Sequence, residues 1–140
     1  MFDKIEIKSG DEIKVVTKPW GSETWLAYGE GMPYCLKMIK LNKGAKTSLQ
    51  YHEKKRETNF VYLGKIRLHY RDELEGETKT REYGPMTAIS VAPMNVHRVE
   101  ALEDTIMIEA STNDLEDVIR ISDDYKRPDG YIASEHGEKK

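Results

Sequence analysis

The stretch Gly44 to Gly64, GAKTSLQYHEKKRETNFVYLG, decides how this chain folds. In an extended backbone successive side chains alternate between faces, so Gln50, His52 and Lys54 share one face, about 6.6 Å apart from one to the next. That spacing lines a cavity with donor atoms. Glu57 is an odd number of residues from His52 and joins that face only if the chain turns between them. The polar run Glu53 to Arg56 supplies the turn, and ETNFVYL then reads as a second strand that Gly64 ends.

A second candidate site lies at Ala92 to Glu100, APMNVHRVE, where Pro93 and Asn95 mark a turn and His97 opens another strand. Imidazoles, a carboxylate and an amide oxygen brought together from two hairpins suit one divalent ion.

Outward from these stretches the pattern repeats. Strand-like runs recur at intervals of about 8 to 12 residues with turn residues between them, and the only candidate for a short helix is Asp114 to Arg120 (DLEDVIR). The expected class is all-β, a sandwich or barrel. In GKIRLHYRD, Ile66, Leu68 and Tyr70 alternate with Lys65, Arg67 and His69, which places His69 toward solvent. Packing is the expected role of Trp20, Trp25 and Tyr62. Residues 1–17 hold two alternating segments, FDKIEIK and EIKVVTK, read as edge strands whose unpaired sides call for a homodimer. Residues 128–140 read as a polar tail, which makes His136 a poor ligand.

The 140 residues predict one domain, burying roughly two-thirds of the unfolded chain's surface. With 22 Lys and Arg interspersed among 25 Asp and Glu, the net charge is −3, which argues against a nucleic-acid partner. No run approaches the about 18 apolar residues of a membrane span, and the first residues do not read as a signal peptide, so a cytoplasmic protein with no membrane partner is expected. Cys35 is the single cysteine, which excludes an internal disulfide; within YCLKMIKL it reads as a small buried hydrophobe.

Several motifs together bear a family resemblance: Lys18-Pro19-Trp20-Gly21, Leu36-Lys37-Met38-Ile39, Ser48-Leu49-Gln50-Tyr51-His52, Arg56-Glu57, Pro93, His97-Arg98-Val99-Glu100 and the closing DVIRISDDYKR. This series, from Lys18 to Arg127, resembles the cupin domain of type II mannose-6-phosphate isomerases, often found behind a mannose-1-phosphate guanylyltransferase. The resemblance implies a cupin barrel (a double-stranded β-helix, jelly-roll-like) over residues 18–127, here stand-alone. Carried over by position, the metal ligands fall on Gln50, His52, Glu57 and His97, for one ion of the Zn, Mn or Fe class. Lys54 departs from the pattern, since such sequences usually carry a second histidine there, and a charged ammonium cannot ligate a cation.

The implied reaction is aldose–ketose isomerisation of a small-molecule sugar phosphate, mannose 6-phosphate to fructose 6-phosphate. It needs a base beside the carbonyl and an electrophile for the enediolate. Glu109 and Lys54 are both candidates for the base, and Lys37, Lys54 and Arg98 are the cations at hand for phosphate. Arg98 alternates with His97, so it faces the metal only if a bulge intervenes. Two competing readings remain: a non-catalytic sugar or nucleotide-sugar binding cupin, and a metal-free deoxy-sugar nucleotide epimerase. Fold alone does not separate them.

Overall fold

The strands that the alternation predicts assemble, in a computed structural model, into two facing antiparallel sheets. The structure describes residues 4–114, 116–122 and 130–131. A single 3-10 turn, Gly10–Glu12, precedes β1 (Lys14–Lys18), β2 (Gly21–Ala27), β3 (Cys35–Leu41), β4 (Leu49–Tyr51), β5 (Glu57–Leu63) and β6 (Ile66–Arg71). Then follow β7 (Thr78–Tyr83), β8 (Thr87–Val91), β9 (His97–Ala101), β10 (Thr105–Ser111), β11 (Ile119–Ser122) and β12 (Gly130–Tyr131). The first sheet has the order β1-β2-β3-β10-β5-β8 and the second β12-β11-β4-β9-β6-β7. Every ladder is antiparallel.

Two glycines permit the tight connections. Gly64, at φ 96°, turns β5 into β6, and a Cβ there would strike the Asp104 carbonyl and Thr105. Gly21 opens β2 so close to β3 that a Cβ would overlap the Lys40 carbonyl oxygen.

The interior has two tiers. At one end Trp20, Ile39, Leu41, Val61 and Met107 from the first half of the wall meet Ile66, Val99 and Ala101 from the second, forming a buried apolar core. At the other end the inward positions of the same strands are polar: Glu23 on β2, Lys37 on β3, Glu57 and Asn59 on β5 and Glu109 on β10 are all buried. The apolar tier supplies the packing energy, and the polar tier is the floor and walls of a cavity.

Several expectations change at the margins. Of the two predicted N-terminal strands only the second forms, as β1; residues 5–9 make no ladder among the described residues, and Ile5 and Ile7 stay exposed. Among the described residues, the short helix expected at Asp114 to Arg120 gives way to a turn running into β11, which buries Arg120 within the strand and Val118 just before it. Tyr62, expected in the core, is 56% exposed on the outer face of β5. Of the tail, Gly130–Tyr131 pairs with β11, and His136 with residues 132–140 lies outside the described residues. Cys35 is buried, as expected of a small hydrophobe. Among the described residues no helix is long and apolar enough to cross a membrane.

Candidate metal centre

β4 ends at Tyr51, so His52 and Lys54 do not continue one strand face as the sequence spacing predicted. The chain turns immediately, and Asp117 controls the turn. Its carboxylate accepts the backbone N–H groups of Glu53, Lys54 and Lys55 at 3.0, 2.6 and 2.8 Å. Burial alone would raise the Asp117 carboxyl, but these three donors hold it below its ordinary value. The consequence is a correction: Lys54 is exposed outside the cavity, and Lys55 is the lysine that enters it.

Within the cavity His52, Glu57 and His97 converge, with their ligand atoms all within 4.8 Å of one another. His52 Nε2 stands 3.5 Å from Glu57 Oε1, and His97 Nε2 stands 3.4 Å from Glu57 Oε2. Metal–ligand bonds of about 2.0–2.2 Å place neighbouring tetrahedral ligands roughly 3.3–3.6 Å apart, so these separations match an ion between them.

The rings are also oriented for ligation. His52 Nδ1–H donates to the Asp117 carbonyl oxygen and His97 Nδ1–H donates to the Asn95 carbonyl oxygen at 2.9 Å, which leaves each Nε2 lone pair facing Glu57. His52 Nε2 is buried with no hydrogen-bond partner. A buried acceptor without a donor is costly, and a cation at that point removes the cost.

Protonation separates the two imidazoles. Burial, reinforced by the Lys55 charge, pulls His52 down to about 4, so it is neutral at pH 7. Burial also opposes charge on His97, but the Glu57 carboxylate beside it raises the net value above the ordinary one. Glu57 itself is held well below the carboxylate range: burial would raise it, and Lys55 and His97 outweigh that.

The other predicted residues divide clearly. Gln50 lines the cavity opposite His97 across the β4–β9 ladder, and its Oε1 accepts a hydrogen bond from Ser48 Oγ. Glu109 faces inward on β10 with Oε2 3.0 Å from Lys55 Nζ, which also lies 3.3 Å from Glu57 Oε1. Lys37 is inside the barrel, 3.7 Å from Glu23 and 4.2 Å from the centre of the Trp25 ring. Arg98 is not in the cavity. No bulge rotates it inward, and from the outer face of β9 its Nε donates to the Thr47 carbonyl.

Sequence reasoning missed Lys55, Asp117, Glu23 and Arg120. Lys18, Lys37, Lys55 and Arg120 line the cavity together with Glu23, Glu57 and Glu109, four cations against three carboxylates. With a divalent ion added, the excess of positive charge suits an anionic ligand. The cavity itself is small, about 80 Å³, room for two or three waters or the reacting end of a substrate.

No family model and no curated protein matches this chain. Solved structures do. KdgF from Halomonas sp. is 22% identical, with 69% of this chain and 81% of that one covered and a TM-score of 0.57. CapF, a capsular polysaccharide assembling protein from Staphylococcus aureus, is 19% identical over 86% of this chain and 34% of its own, with a TM-score of 0.60. Oxalate decarboxylase from Bacillus subtilis, in a structure described for its Mn(II) centres, is 16% identical over 77% and 30%, with a TM-score of 0.63. The chain therefore spans about a third of the length of the last two. Identities this low speak for architecture alone, and the architecture they share with this chain is the cupin fold.

Proposed function

We propose that this chain is a metal-dependent cupin acting on a sugar phosphate by proton transfer beside a carbonyl, of the type that converts mannose 6-phosphate to fructose 6-phosphate. One observation carries the reading: the two oriented Nε2 atoms around Glu57, with the Glu109–Lys55 pair beside them in the same cavity. The motif series from Lys18 to Arg127 and the fold shared with a capsular polysaccharide assembling protein support sugar chemistry.

His52, Glu57 and His97 would hold the ion, with Gln50 beside them. A bound divalent ion supplies Lewis acidity, stabilising negative charge on a substrate oxygen.

The chain's own groups divide the remaining work. Burial disfavours a charged Lys55, but Glu109 and Glu57 raise its pKa above that of an ordinary lysine, so it stays protonated and is no base. Glu109 is the base: a carboxylate inside the cavity, positioned by Lys55, that takes the proton next to the substrate carbonyl and returns it to the neighbouring carbon. Lys55 donates hydrogen bonds to developing negative charge. Lys18, Lys37 and Arg120 add positive charge to the cavity, which favours an anionic substrate. The reacting end of the sugar enters the cavity, and its small volume leaves the rest of the molecule at the mouth.

One feature favours a second reading. Lys55 Nζ, 3.3 Å from Glu57, already neutralises the carboxylate that an ion would need, as it would in a metal-free binding module or epimerase. Two measurements on chelator-treated protein decide. Zinc or manganese uptake tests the ion, and turnover of mannose 6-phosphate in D2O, with deuterium appearing at C1 of the fructose 6-phosphate formed, tests the chemistry. Uptake with exchange supports the isomerase; uptake without exchange leaves a metal-binding sugar module; no uptake at all overturns the metal-dependent reading.

A further inference from the structure

Glu109 has two lysines within reach and pairs with one of them. Across the inner face of the first sheet runs a straight row, Lys14–Trp25–Lys37–Glu109–Asn59, from β1 to β5. Residues directly opposite each other in an antiparallel ladder have Cβ atoms about 4.5–5.5 Å apart, so a lysine facing a glutamate there ordinarily forms an ion pair. Lys37 faces Glu109 in this way, yet among the described residues no ion pair joins them.

The Lys37 ammonium turns the other way. Its Nζ lies 3.7 Å from Glu23 Oε1 and 4.2 Å from the centre of the Trp25 ring. Trp25 Nε1–H donates to that same Oε1 at 2.8 Å, so the carboxylate that holds the lysine is itself held. A carboxylate on one side and an aromatic face on the other make a seat for an ammonium. Glu23, Trp25 and Lys37 are 8%, 1% and 3% exposed, which keeps water from competing for the seat. Burial would raise the Glu23 carboxyl, but Lys37 and Lys18 hold it below its ordinary value, so it is charged at pH 7. Glu109 shows the result: its Oε2 is buried and accepts no well-aligned hydrogen bond, although Lys55 Nζ lies 3.0 Å away. A lone pair left open in this way is what a general base needs.

We propose that Glu23 is a positioning residue: with Trp25 it keeps Lys37 off Glu109, and so leaves that carboxylate open to a substrate proton. The inference rests on Glu109 being the base. A buried ammonium does not stay unpaired, and once Glu23 loses its charge the carboxylate directly opposite Lys37 is Glu109. With two ammonium groups on it, Glu109 would hold its charge more tightly and accept a proton less readily.

Metal-loaded full-length protein converting mannose 6-phosphate in D2O tests this, with deuterium in the fructose 6-phosphate as the readout. Glu23→Gln keeps the side chain's shape and an oxygen for the indole N–H but drops the charge, and should lower kcat roughly 10- to 100-fold. Adding Lys37→Met should bring kcat back to within about fivefold of wild type while raising KM, because the obstructing lysine is gone and the cavity has lost a cation. A crystal structure of Glu23→Gln should place Lys37 Nζ within about 4 Å of a Glu109 oxygen. If Glu23→Gln fails to fold, Trp25→Phe, which keeps a ring under Lys37 but releases Glu23 Oε1, should give a smaller loss of kcat that Lys37→Met again recovers. A wild type that exchanges, beside a Glu23→Gln protein with unchanged kcat, a double variant no faster than the single one, or a Lys37 still seated on Trp25, overturns the proposal alone. A wild type that incorporates no deuterium overturns the assignment of Glu109 as base, and the proposal with it.

Discussion

Across the outside of the second sheet runs Glu82–Arg67–Glu100, bridged by ion pairs at 2.8 and 3.2 Å; across the outside of the first runs Met38–Ile108–Phe60. The interiors differ as well. The first sheet contributes the cavity's carboxylates, Glu23, Glu57 and Glu109, while His97 on β9, Gln50 on β4 and His52 just beyond β4 come from the second. The site is therefore a seam between two walls, one acidic and one imidazole-bearing. Strand alternation fixes only that two faces differ, and the burial of a polar cavity reverses which face is apolar.

The strongest way to break the seam is to remove its second-sheet half. His52→Ala should abolish measurable zinc or manganese uptake in calorimetric titration, because it deletes the imidazole whose Nε2 faces Glu57. Lys54→His, by contrast, should leave affinity within about twofold, since Lys54 is outside the cavity. Uptake in wild type should also weaken as pH falls through the raised His97 value, because a proton on Nε2 must leave before that atom can ligate. An affinity flat from pH 8 to pH 5 would contradict the assignment of His97 as ligand.

Next in size is the apolar tier, where both sheets obey the ordinary rule. Ile66 is fully buried against Val61 and Met107 in the core cluster, and Ile66→Ala should cost roughly 2–5 kcal/mol in denaturant unfolding.

Alternation made this tier and most strands legible from the sequence, because a repeat of two needs only side-chain polarity to be seen. The motif series also pointed to Gln50, His52, Glu57 and His97. Lys54 was misplaced for a physical reason. Parity arguments assume a straight strand, and three N–H groups held by one carboxylate 62 to 64 residues away end that strand at Tyr51. Nothing local to EKKR shows that Asp117 will arrive there. Arg98, in contrast, obeyed the parity that put it opposite His97, because β9 has no bulge.

Asp117 offers a smaller, more discriminating test. Asp117→Ala removes the acceptor of the Glu53–Lys55 amides but keeps the backbone carbonyl that orients His52. It should lower stability by about 1–3 kcal/mol and metal affinity by roughly tenfold, with Asp117→Asn recovering part of both. No loss in either variant would mean that the turn does not depend on these hydrogen bonds.

The smallest effect is expected on the charged face. Glu100 meets Arg67 at 3.2 Å and His69 at 2.9 Å on the outside of the second sheet. Burial would raise its carboxyl, but His69 and Arg67 hold it below 4.5. A lowered folded-state pKa stabilises above the unfolded value, so the contribution is present at pH 7 and is lost as pH falls from 4.5 through the lowered value. Glu100→Gln should therefore reduce Tm by no more than about 3 °C at pH 7, and salt at about 0.5 M should erase most of the difference. A salt-resistant loss at Glu100 larger than the loss at Ile66 would mean that this ion pair is not a screened surface contact.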